Sequence, residues 1–202
     1  DVMQRSVPSY DKKGDQHYDL ISAFIKSVRG SDPDSSIYWL ARMIDAGEDP
    51  LFIARRIVIL AAEDIGLADP RALSISIAAY QATHFIGMPE ARIPLSEATI
   101  YLATAPKSNS AYKAIDFALE DASLTPNEVV PLHLRNPVTE LMEDEGYGEG
   151  YKYSHNYDNH FASMQNRPNK IKDHVYYTPS DQGYEIKIQR WHNERWNKNN
   201  QK

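Results

Sequence analysis

Three consecutive segments of this chain open with Asp-Pro and close near a glycine. The pairs are Asp32-Pro33, Asp49-Pro50 and Asp69-Pro70, and the glycines are Gly47, Gly66 and Gly87. Asp favours the N-cap because its carboxylate accepts the free N–H groups of the first turn, and Pro suits the next position because it has no N–H to leave unpaired. Glycine favours the position just after a helix. The pattern therefore predicts helices over 33–46, 50–65 and 70–85.

An apolar stripe predicts one helix before these three, and two more helices follow them. Leu20, Ile21, Phe24, Ile25 and Val28 have the spacing of a single helix face, and Gly30 would end that helix as a C′ residue. The later helices are predicted over 94–105 and 109–123. Because only a few residues join successive helices, neighbouring helices must pack against one another. The sequence therefore predicts a mostly α fold, built as a helical array.

After residue 125 the signals for regular structure become sparse. Three prolines interrupt the chain, and Asn136-Pro137 predicts a short helix over 138–145 that Gly146 ends. Residues 146–184 are rich in Tyr, Asn, His and Gly. Because buried tyrosines favour order, we expect a long ordered and irregular excursion that wraps the helices.

The domain organisation follows from these patterns. A strand over 175–178 that pairs with 184–188 would form one short β-hairpin. The expected parts are a linker (1–14), a helical domain (15–188) made of core helices (15–123) and an irregular wrap (124–188), and a frayed basic tail (189–202). Because the chain begins with Asp rather than Met, we expect a piece of a longer protein whose upstream module is missing.

Charge is distributed unevenly along the chain, whose net charge is −6. Residues 1–166 carry a net charge of −10 and residues 167–202 a net charge of +4. The balance excludes a protein that coats nucleic acid with its whole surface, but it leaves room for a local basic patch. An ordinary solvated face explains the same imbalance, and both interpretations stay open.

The residue inventory excludes several classes of protein. The chain has no cysteine, which excludes disulfides, thiolate zinc sites and cysteine nucleophiles and favours a cytosolic protein. Its longest apolar run, Ile57 to Ala62, is far shorter than the roughly 20 residues of a membrane helix. It contains no G-x-x-x-x-G-K-[ST] phosphate loop, and the glycines at 146, 148 and 150 lack the flanking strand and helix of such a loop. We therefore expect no cofactor and no catalytic residue in this chain.

One histidine-rich segment is the remote candidate for a metal-dependent enzyme. His155, Asp158 and His160 lie within six residues, and imidazole and carboxylate groups at that density can bind zinc. Their spacing matches no metal motif and falls in a predicted loop. Hydrogen-bonding histidines are the ordinary interpretation, so no metal ligand is assigned.

Six basic residues are candidate contacts with DNA phosphates or with a partner subunit: Lys26, Arg29, Arg55, Arg56, Lys107 and Arg135. Lys26 and Arg29 share one helix face. Lys107 precedes a predicted helix start, whose free N–H groups could help it to hold an anion. Ion pairs within the chain are the alternative interpretation for every member of this set.

The adjacent carboxylates Glu63 and Asp64 are not a facing acid/base pair, because neighbouring side chains on a helix point about 100° apart. We expect them to pair with Arg55, with Arg56 or with an upstream helix end. The nearby residues 57–62 are apolar on every side of their helix and must be covered all round. Either the core of the chain or a neighbouring subunit can supply that cover.

The helical region is specific enough to resemble a known family. GDQHYDLISAFIKSVRGSDPDSSIYWLARMIDAGEDPLFIARRIVILAAEDIGLADPRAL is similar to the region behind the ATPase module of the RarA/MgsA family, replication-associated recombination proteins related to the clamp loaders. GMPEARIPLSEATIYLATAPKSN, VPLHLRNP, LMEDEGYGEGYKYSHNYDN and YYTPSDQGYEIKI continue the resemblance. It covers residues 11–188.

The resemblance implies the C-terminal part of a cytoplasmic, nucleoid-associated AAA+ ATPase that acts at stalled replication forks. ATP and Mg²⁺ would belong to the missing ATPase module, and this region would resemble the clamp-loader collar and join subunits as a homotetramer. The implied partners are further copies of the chain, DNA through the full-length protein, and single-stranded-DNA-binding protein, with no membrane. We therefore expect a non-catalytic oligomerisation domain. The alternative is a DNA-binding module that contacts phosphates through a local basic patch.

Overall fold

The structure, a computed structural model, describes residues 15–196, and the expected linker over 1–14 lies outside them. Within these residues all regular structure is helical, so the mostly α fold class is confirmed. The α-helices are α1 (Asp15–Arg29), α2 (Pro33–Asp45), α3 (Pro50–Leu60), α4 (Arg71–Ile86), α5 (Arg92–Thr104), α6 (Ser110–Leu124), α7 (Glu140–Asp144) and α8 (Glu185–Trp196).

Two of the three Asp-Pro signals cap helices as predicted. The carboxylate of Asp32 accepts a hydrogen bond from the backbone N–H of Ser35 at 2.9 Å. That of Asp49 accepts from the backbone N–H groups of Leu51 and Phe52 at 3.0 and 3.2 Å. Each aspartate thus satisfies N–H groups that a helix start leaves free, and α2 and α3 begin at the following proline.

The third signal, at Asp69, works differently. The Arg71 side chain donates two hydrogen bonds to the Asp69 carboxylate, at 2.9 and 3.0 Å, and Tyr101 Oη donates a third at 2.5 Å. The hydrogen bond from Arg71 holds the pKa of Asp69 at about 2; burial opposes this shift and Tyr101 adds to it. Asp69 therefore ties the start of α4 to α5.

Glycines end α2 and α4 as predicted, but the predicted glycine does not end α1. Gly47 and Gly87 adopt left-handed φ values of 73° and 75°. After α1, however, the left-handed residue is Ser31, with φ 60°, and not Gly30. The Asp32 N–H donates to Ser27 O at 3.0 Å, which closes a Schellman motif one residue later than predicted.

The end of the third predicted helix also departs from a regular α-helix. After α3 the chain continues as a π-helical turn, Ala61–Ile65. Gly66 follows with φ 50°, and a Cβ at this position would lie 2.8 Å from the backbone oxygen of Ser108. Close approach of another backbone therefore requires a glycine here.

The chain divides into two compact units, which are described separately. Unit 1 contains the described residues up to Tyr112 together with Ser180–Glu185; unit 2 contains Lys113–Pro179 and the described residues from Ile186 onward. Helices α1 to α5 form the core of unit 1 around a set of fully buried side chains: Phe24, Met43, Ile53, Ile57, Leu95 and Leu102.

The core of unit 1 buries part of the apolar stretch at 57–62. Ile57, Leu60 and Ala61 are buried in it, whereas Ile59 is 44% exposed and Ala62 is also exposed. The chain's own core therefore covers one side of this stretch, and the other side faces outward.

Unit 2 is irregular over most of its length, as predicted. The helix expected over 138–145 is shorter, at Glu140–Asp144. The glycines at 146, 148 and 150 occupy turns with φ near 80°. The carboxylate of Asp121 accepts hydrogen bonds from His174 at 2.5 Å and Tyr176 at 2.7 Å, and these bonds lower the pKa of Asp121.

Two predictions for the C-terminal end are wrong. Residues 175–178 form no strand, and the second expected strand, 184–188, contributes to α8 from Glu185 onward. Residues 189–196, expected to be a frayed tail, continue this helix, while 197–202 lie outside the described residues. Ile186 and Ile188 alternate as they would in a strand, but Ile188, His192 and Trp196 recur at helical spacing.

Candidate functional site

A polar pocket lies in unit 1 where α1 ends, where the π-helical turn follows α3, and where α6 begins. Its volume is about 440 Å³. It is lined by Arg29, Glu63, Asp64, Lys107, Ser108, Asn109 and Tyr112. The structure thus brings together two of the six candidate basic residues and the adjacent carboxylates. Because π-helical turns often occur at functional sites, this pocket is a candidate site.

The carboxylates in the polar pocket pair with Arg29, the last residue of α1. Of the expected partners, the upstream helix end is therefore confirmed, and Arg55 and Arg56 are not. Arg29 Nε lies 2.5 Å from Asp64 Oδ1, and Arg29 Nη2 lies 3.2 Å from Glu63 Oε1. The hydrogen bond with Asp64 raises the pKa of Arg29. The π-helical turn places both carboxylates toward α1, which a continuous α-helix would not predict. The acidic and basic groups neutralise each other here.

Lys107 has a structural role in the polar pocket. Its ammonium group donates hydrogen bonds to the backbone oxygens of Leu102 at 2.9 Å, Ala103 at 3.1 Å and Ala105 at 2.7 Å. These are the free carbonyls at the end of α5, and burial lowers the pKa of the lysine. An ammonium group has three N–H donors, so all of them are directed at the α5 carbonyls.

Next to the polar pocket lies a buried carboxylate that the sequence did not reveal. Fully buried Glu185 accepts hydrogen bonds from the hydroxyls of Ser108 at 2.6 Å, Ser180 at 2.5 Å and Ser110. The backbone N–H of Ser180 adds a fourth at 3.0 Å. Burial alone would raise the pKa of Glu185, but the serine hydroxyls outweigh it and hold the pKa at about 2. We call these four residues the serine–glutamate clasp.

The residues beside Glu185 fit the clasp closely. The backbone N–H of Tyr184 donates to Ala68 O at 2.7 Å. Gly183 has φ 53°, and a Cβ there would lie 2.2 Å from Ala68 O. The sequence signal that could have predicted this arrangement is Ser-x-x-Gly-x-Glu over 180–185, in which glycine permits the close approach.

The other four predicted contact residues do not line the polar pocket. Lys26 is exposed on α1. Arg55 lies 3.5 Å from Asp49, and buried Arg56 Nε has no hydrogen-bond partner among the described residues. In unit 2, Arg135 Nε donates to a backbone oxygen at 2.6 Å. Lys26, Arg55 and Arg56 are therefore not among the residues that line the polar pocket, and Arg135 belongs to unit 2.

The histidine-rich segment does not form a metal site in the part of the chain that the structure describes. The rings of His155 and His160 lie 5.0 Å apart, but no group of three His, Cys, Asp or Glu residues between 15 and 196 is arranged to hold a metal ion. No helix within residues 15–196 is long and apolar enough to cross a bilayer.

Unit 1 exposes apolar side chains where α4 turns into α5. Phe85 is 91% exposed, and Ile86, Met88 and Ile93 are about half exposed. We call these four residues the α4–α5 turn cluster. Ile93 also lines a groove of about 670 Å³ between α2 and α5. Exposed apolar residues that lie close together in the chain are candidates for an interaction surface.

Comparisons with known proteins match residues 1–196 of the chain to AAA+ family models. A family model described as "MgsA AAA+ ATPase C terminal" matches residues 30–196, and one described as "AAA C-terminal domain" matches residues 1–29. The chain is 46% identical to the replication-associated recombination protein A of Haemophilus influenzae and 48% identical to that of Escherichia coli K12.

The matches cover most of this chain and a smaller part of each relative. They include 93% of the chain and 42% of the Haemophilus protein, and 89% of the chain and 40% of the Escherichia coli protein. An ATPase WRNIP1 of Dictyostelium discoideum is 46% identical over 87% of the chain and 20% of its own length. The chain thus spans about two fifths of the length of the two bacterial relatives.

Proposed function

The chain belongs to the family of MgsA AAA+ ATPase C-terminal domains, and we propose that it self-associates to hold together an ATPase of replication-associated recombination. The relatives' names supply the process, since several are called replication-associated recombination protein A. ATP and Mg²⁺ would bind in the part of the protein outside this chain, which itself contains no phosphate loop.

The α4–α5 turn cluster is the observation that carries the proposal. A phenylalanine that is 91% exposed leaves its whole ring in water. Burying such a ring and its aliphatic neighbours contributes about 25 cal/mol per Å² of apolar surface. Subunit interfaces are enriched in aromatic residues and Met and depleted in charged ones, and the four residues of the cluster carry no charge.

The groove between α2 and α5 extends the same surface through Ile93, which belongs to both. The apolar residues of the groove include Ile37, Leu40 and Ile44. A second copy that covered the cluster and the groove together would exclude water from the apolar residues of both, while Arg42, Asp45 and Arg92 also line the groove. We propose this surface rather than the stretch at 57–62 as the contact, because the chain's own core already buries Ile57, Leu60 and Ala61 of that stretch.

Two matched variants test the contact. We expect Phe85→Glu to reduce the sedimentation coefficient to that of a single chain at micromolar concentration, because a charge would be buried at the interface centre. Val138→Glu is the control: Val138 is 82% exposed and lies in unit 2, outside the cluster. Loss of association in both variants, or in neither, contradicts the assignment of this surface.

We also propose that this chain binds no nucleotide. Calorimetry with ATP and Mg²⁺ should give no heat beyond that of dilution. Saturable binding at micromolar concentration would contradict this and would direct attention to the glycines at 146, 148 and 150.

A further inference from the structure

The residue types of this chain leave methionine as the side chain that a peroxide oxidises. The chain contains no cysteine and five methionines. A thiol would compete for the oxidant, but here every sulfur atom is a thioether, which oxidants convert to a sulfoxide. Four of the methionines lie within residues 15–196, so the structure shows which of these thioethers an oxidant in solution can reach.

Among these four residues, Met88 has the most accessible side chain. Met43 is 1% exposed, in the core of unit 1. Met142 and Met164 are half-buried in unit 2, and their sulfur atoms accept hydrogen bonds from backbone N–H groups at 3.5 and 3.2 Å. Met88, by contrast, is 42% exposed. A dissolved oxidant therefore has the freest access to Met88.

The surroundings of Met88 determine what its oxidation does. The residue belongs to the α4–α5 turn cluster with Phe85, Ile86 and Ile93. Reduced methionine adds a flexible apolar side chain to this surface, whereas the sulfoxide places a polar S=O group there. The three other side chains have no polar group to pair with it. Covering the oxidised cluster would therefore bury a polar group at a cost.

We infer that Met88 is a site of reversible oxidation by hydroperoxides and that its oxidation weakens self-association. The thioether sulfur attacks one peroxide oxygen, so that the S–O bond forms as the O–O bond breaks. The proton of the transferred oxygen passes to the leaving oxygen, which departs as water or an alcohol. The sulfur loses two electrons, which reduce the peroxide, and methionine sulfoxide reductases reverse the change.

The two parts of this inference depend on different observations. The choice of Met88 depends on its exposure alone, whereas the effect on association rests on the proposed function. A second copy that covers the α4–α5 turn cluster also covers Met88, so peroxide reacts with separate chains. The rate of Met88 oxidation should therefore fall as the protein concentration rises. The rate at Met142, outside the cluster, should not change with concentration.

Peptide mass spectrometry after graded exposure of the dilute 202-residue chain to hydrogen peroxide tests the choice of residue. Met3 lies outside the described residues, so Met3→Leu is introduced in every sample. We expect the sulfoxide of Met88 to form before those of Met43, Met142 and Met164. Oxidation of any of these three as fast as Met88 overturns the inference, whether or not the chain self-associates.

Light scattering before and after peroxide treatment tests the effect on association. Oxidation should raise the concentration at which the assembly dissociates by about tenfold or more, because a polar group would be buried without a partner. A methionine sulfoxide reductase should restore the original value. Met88→Leu should abolish the response, and Met142→Leu, outside the cluster, is the matched control that should retain it. Each variant is compared with its own untreated sample.

The outcomes separate this inference from the proposed function. A full response in Met88→Leu, or oxidation of Met88 that leaves the assembly mass unchanged, overturns the inference and leaves self-association intact. A chain that is monomeric before treatment contradicts the proposed function and, with it, the effect on association. Earlier oxidation of Met88 than of the other three methionines would still support the modification site in that case.

Discussion

Ser108 Oγ donates a 2.6 Å hydrogen bond to Glu185 Oε2, and these two residues are 77 positions apart in the chain. The bond joins the start of α8 to the turn before α6 inside unit 1. Ser110 and Ser180 complete the serine–glutamate clasp. A buried carboxylate is stable only when its oxygens are hydrogen-bonded, so the four residues depend on one another.

The clasp predicts that Glu185→Ala strongly lowers the free energy of unfolding. The substitution removes the acceptor of three hydroxyls, two of which, those of Ser108 and Ser110, belong to buried residues. Hydrogen bonds to charged groups contribute about 1.5–3 kcal/mol each. We expect the free energy of unfolding to fall by about 3 kcal/mol, measured by urea denaturation. Glu194→Ala, which changes an exposed glutamate of the same helix, should stay within about 0.5 kcal/mol of the wild type. Equal effects of the two substitutions would contradict the role of the clasp.

Acid should destabilise the protein in a defined window. Glu185 and Asp69 have folded-state pKa values of about 2, below their ordinary values of 4.5 and 3.8. The unfolded chain therefore binds more protons in acid, so the stabilisation is complete above pH 4.5 and is lost as the pH falls toward 2. Glu185→Gln should flatten the fall in urea midpoint between pH 5 and pH 3. Parallel curves for the two proteins would be inconsistent with a charged clasp.

The ion pair between Arg29 and Asp64 predicts that replacing Arg29 lowers stability more than replacing Lys26, a neighbouring cation of α1. Arg29→Ala leaves the carboxylate of Asp64, whose side chain is only 8% exposed, without its ion pair. Because Arg29 is half exposed, we expect a loss of about 1–2 kcal/mol in unfolding free energy, less than for a fully buried pair. Lys26→Ala, on the same face of α1, should change stability by less than about 0.5 kcal/mol. A larger effect at Lys26 than at Arg29 would contradict this account of the polar pocket.

Lys107 should affect stability rather than DNA binding. Lys107→Met keeps much of the side-chain volume but removes three hydrogen bonds to the end of α5. We expect a lower thermal midpoint, and any binding of single-stranded DNA at low salt should stay within about twofold of the wild type, since all three N–H donors of the ammonium group are directed at backbone carbonyls. Loss of DNA binding at an unchanged midpoint would restore Lys107 as a phosphate contact.

The sequence predicted the helices of unit 1 well because their signals are local. Asp32 and Asp49 each cap a helix with groups two or three residues away, and such contacts can be inferred from the order of residues. Glu185 could not be interpreted in this way, because two of its partners lie more than 70 positions earlier. Its neighbours therefore suggested a strand, although the segment is fixed by distant contacts.

The candidate site was predicted in part for a similar reason. Arg29 and Lys107 were recognised as candidates from residue type and position, but their partners depend on how the chain turns after α3. The π-helical turn directs Glu63 and Asp64 to α1. No periodicity in the sequence reports such a turn.

Gly183 and Gly47 form a matched pair of glycines. Both have left-handed φ values, 53° and 73°, but a Cβ at 183 would lie 2.2 Å from Ala68 O, whereas a Cβ at 47 would meet nothing within 4 Å. Gly47→Ala should cost about 1 kcal/mol of unfolding free energy, the strain of the conformation alone. Gly183→Ala should cost clearly more, because the backbone must also move. Equal costs in urea denaturation would show that segment 180–185 is not tightly held.

The central claim is that this chain associates with copies of itself through the α4–α5 turn cluster. Its most direct test is the molar mass of the 202-residue chain in solution, measured by multi-angle light scattering across micromolar concentrations. We predict a mass of at least two copies of the 23.0 kDa chain, with four copies as the expected assembly. A constant mass of 23.0 kDa over the whole range would contradict the claim.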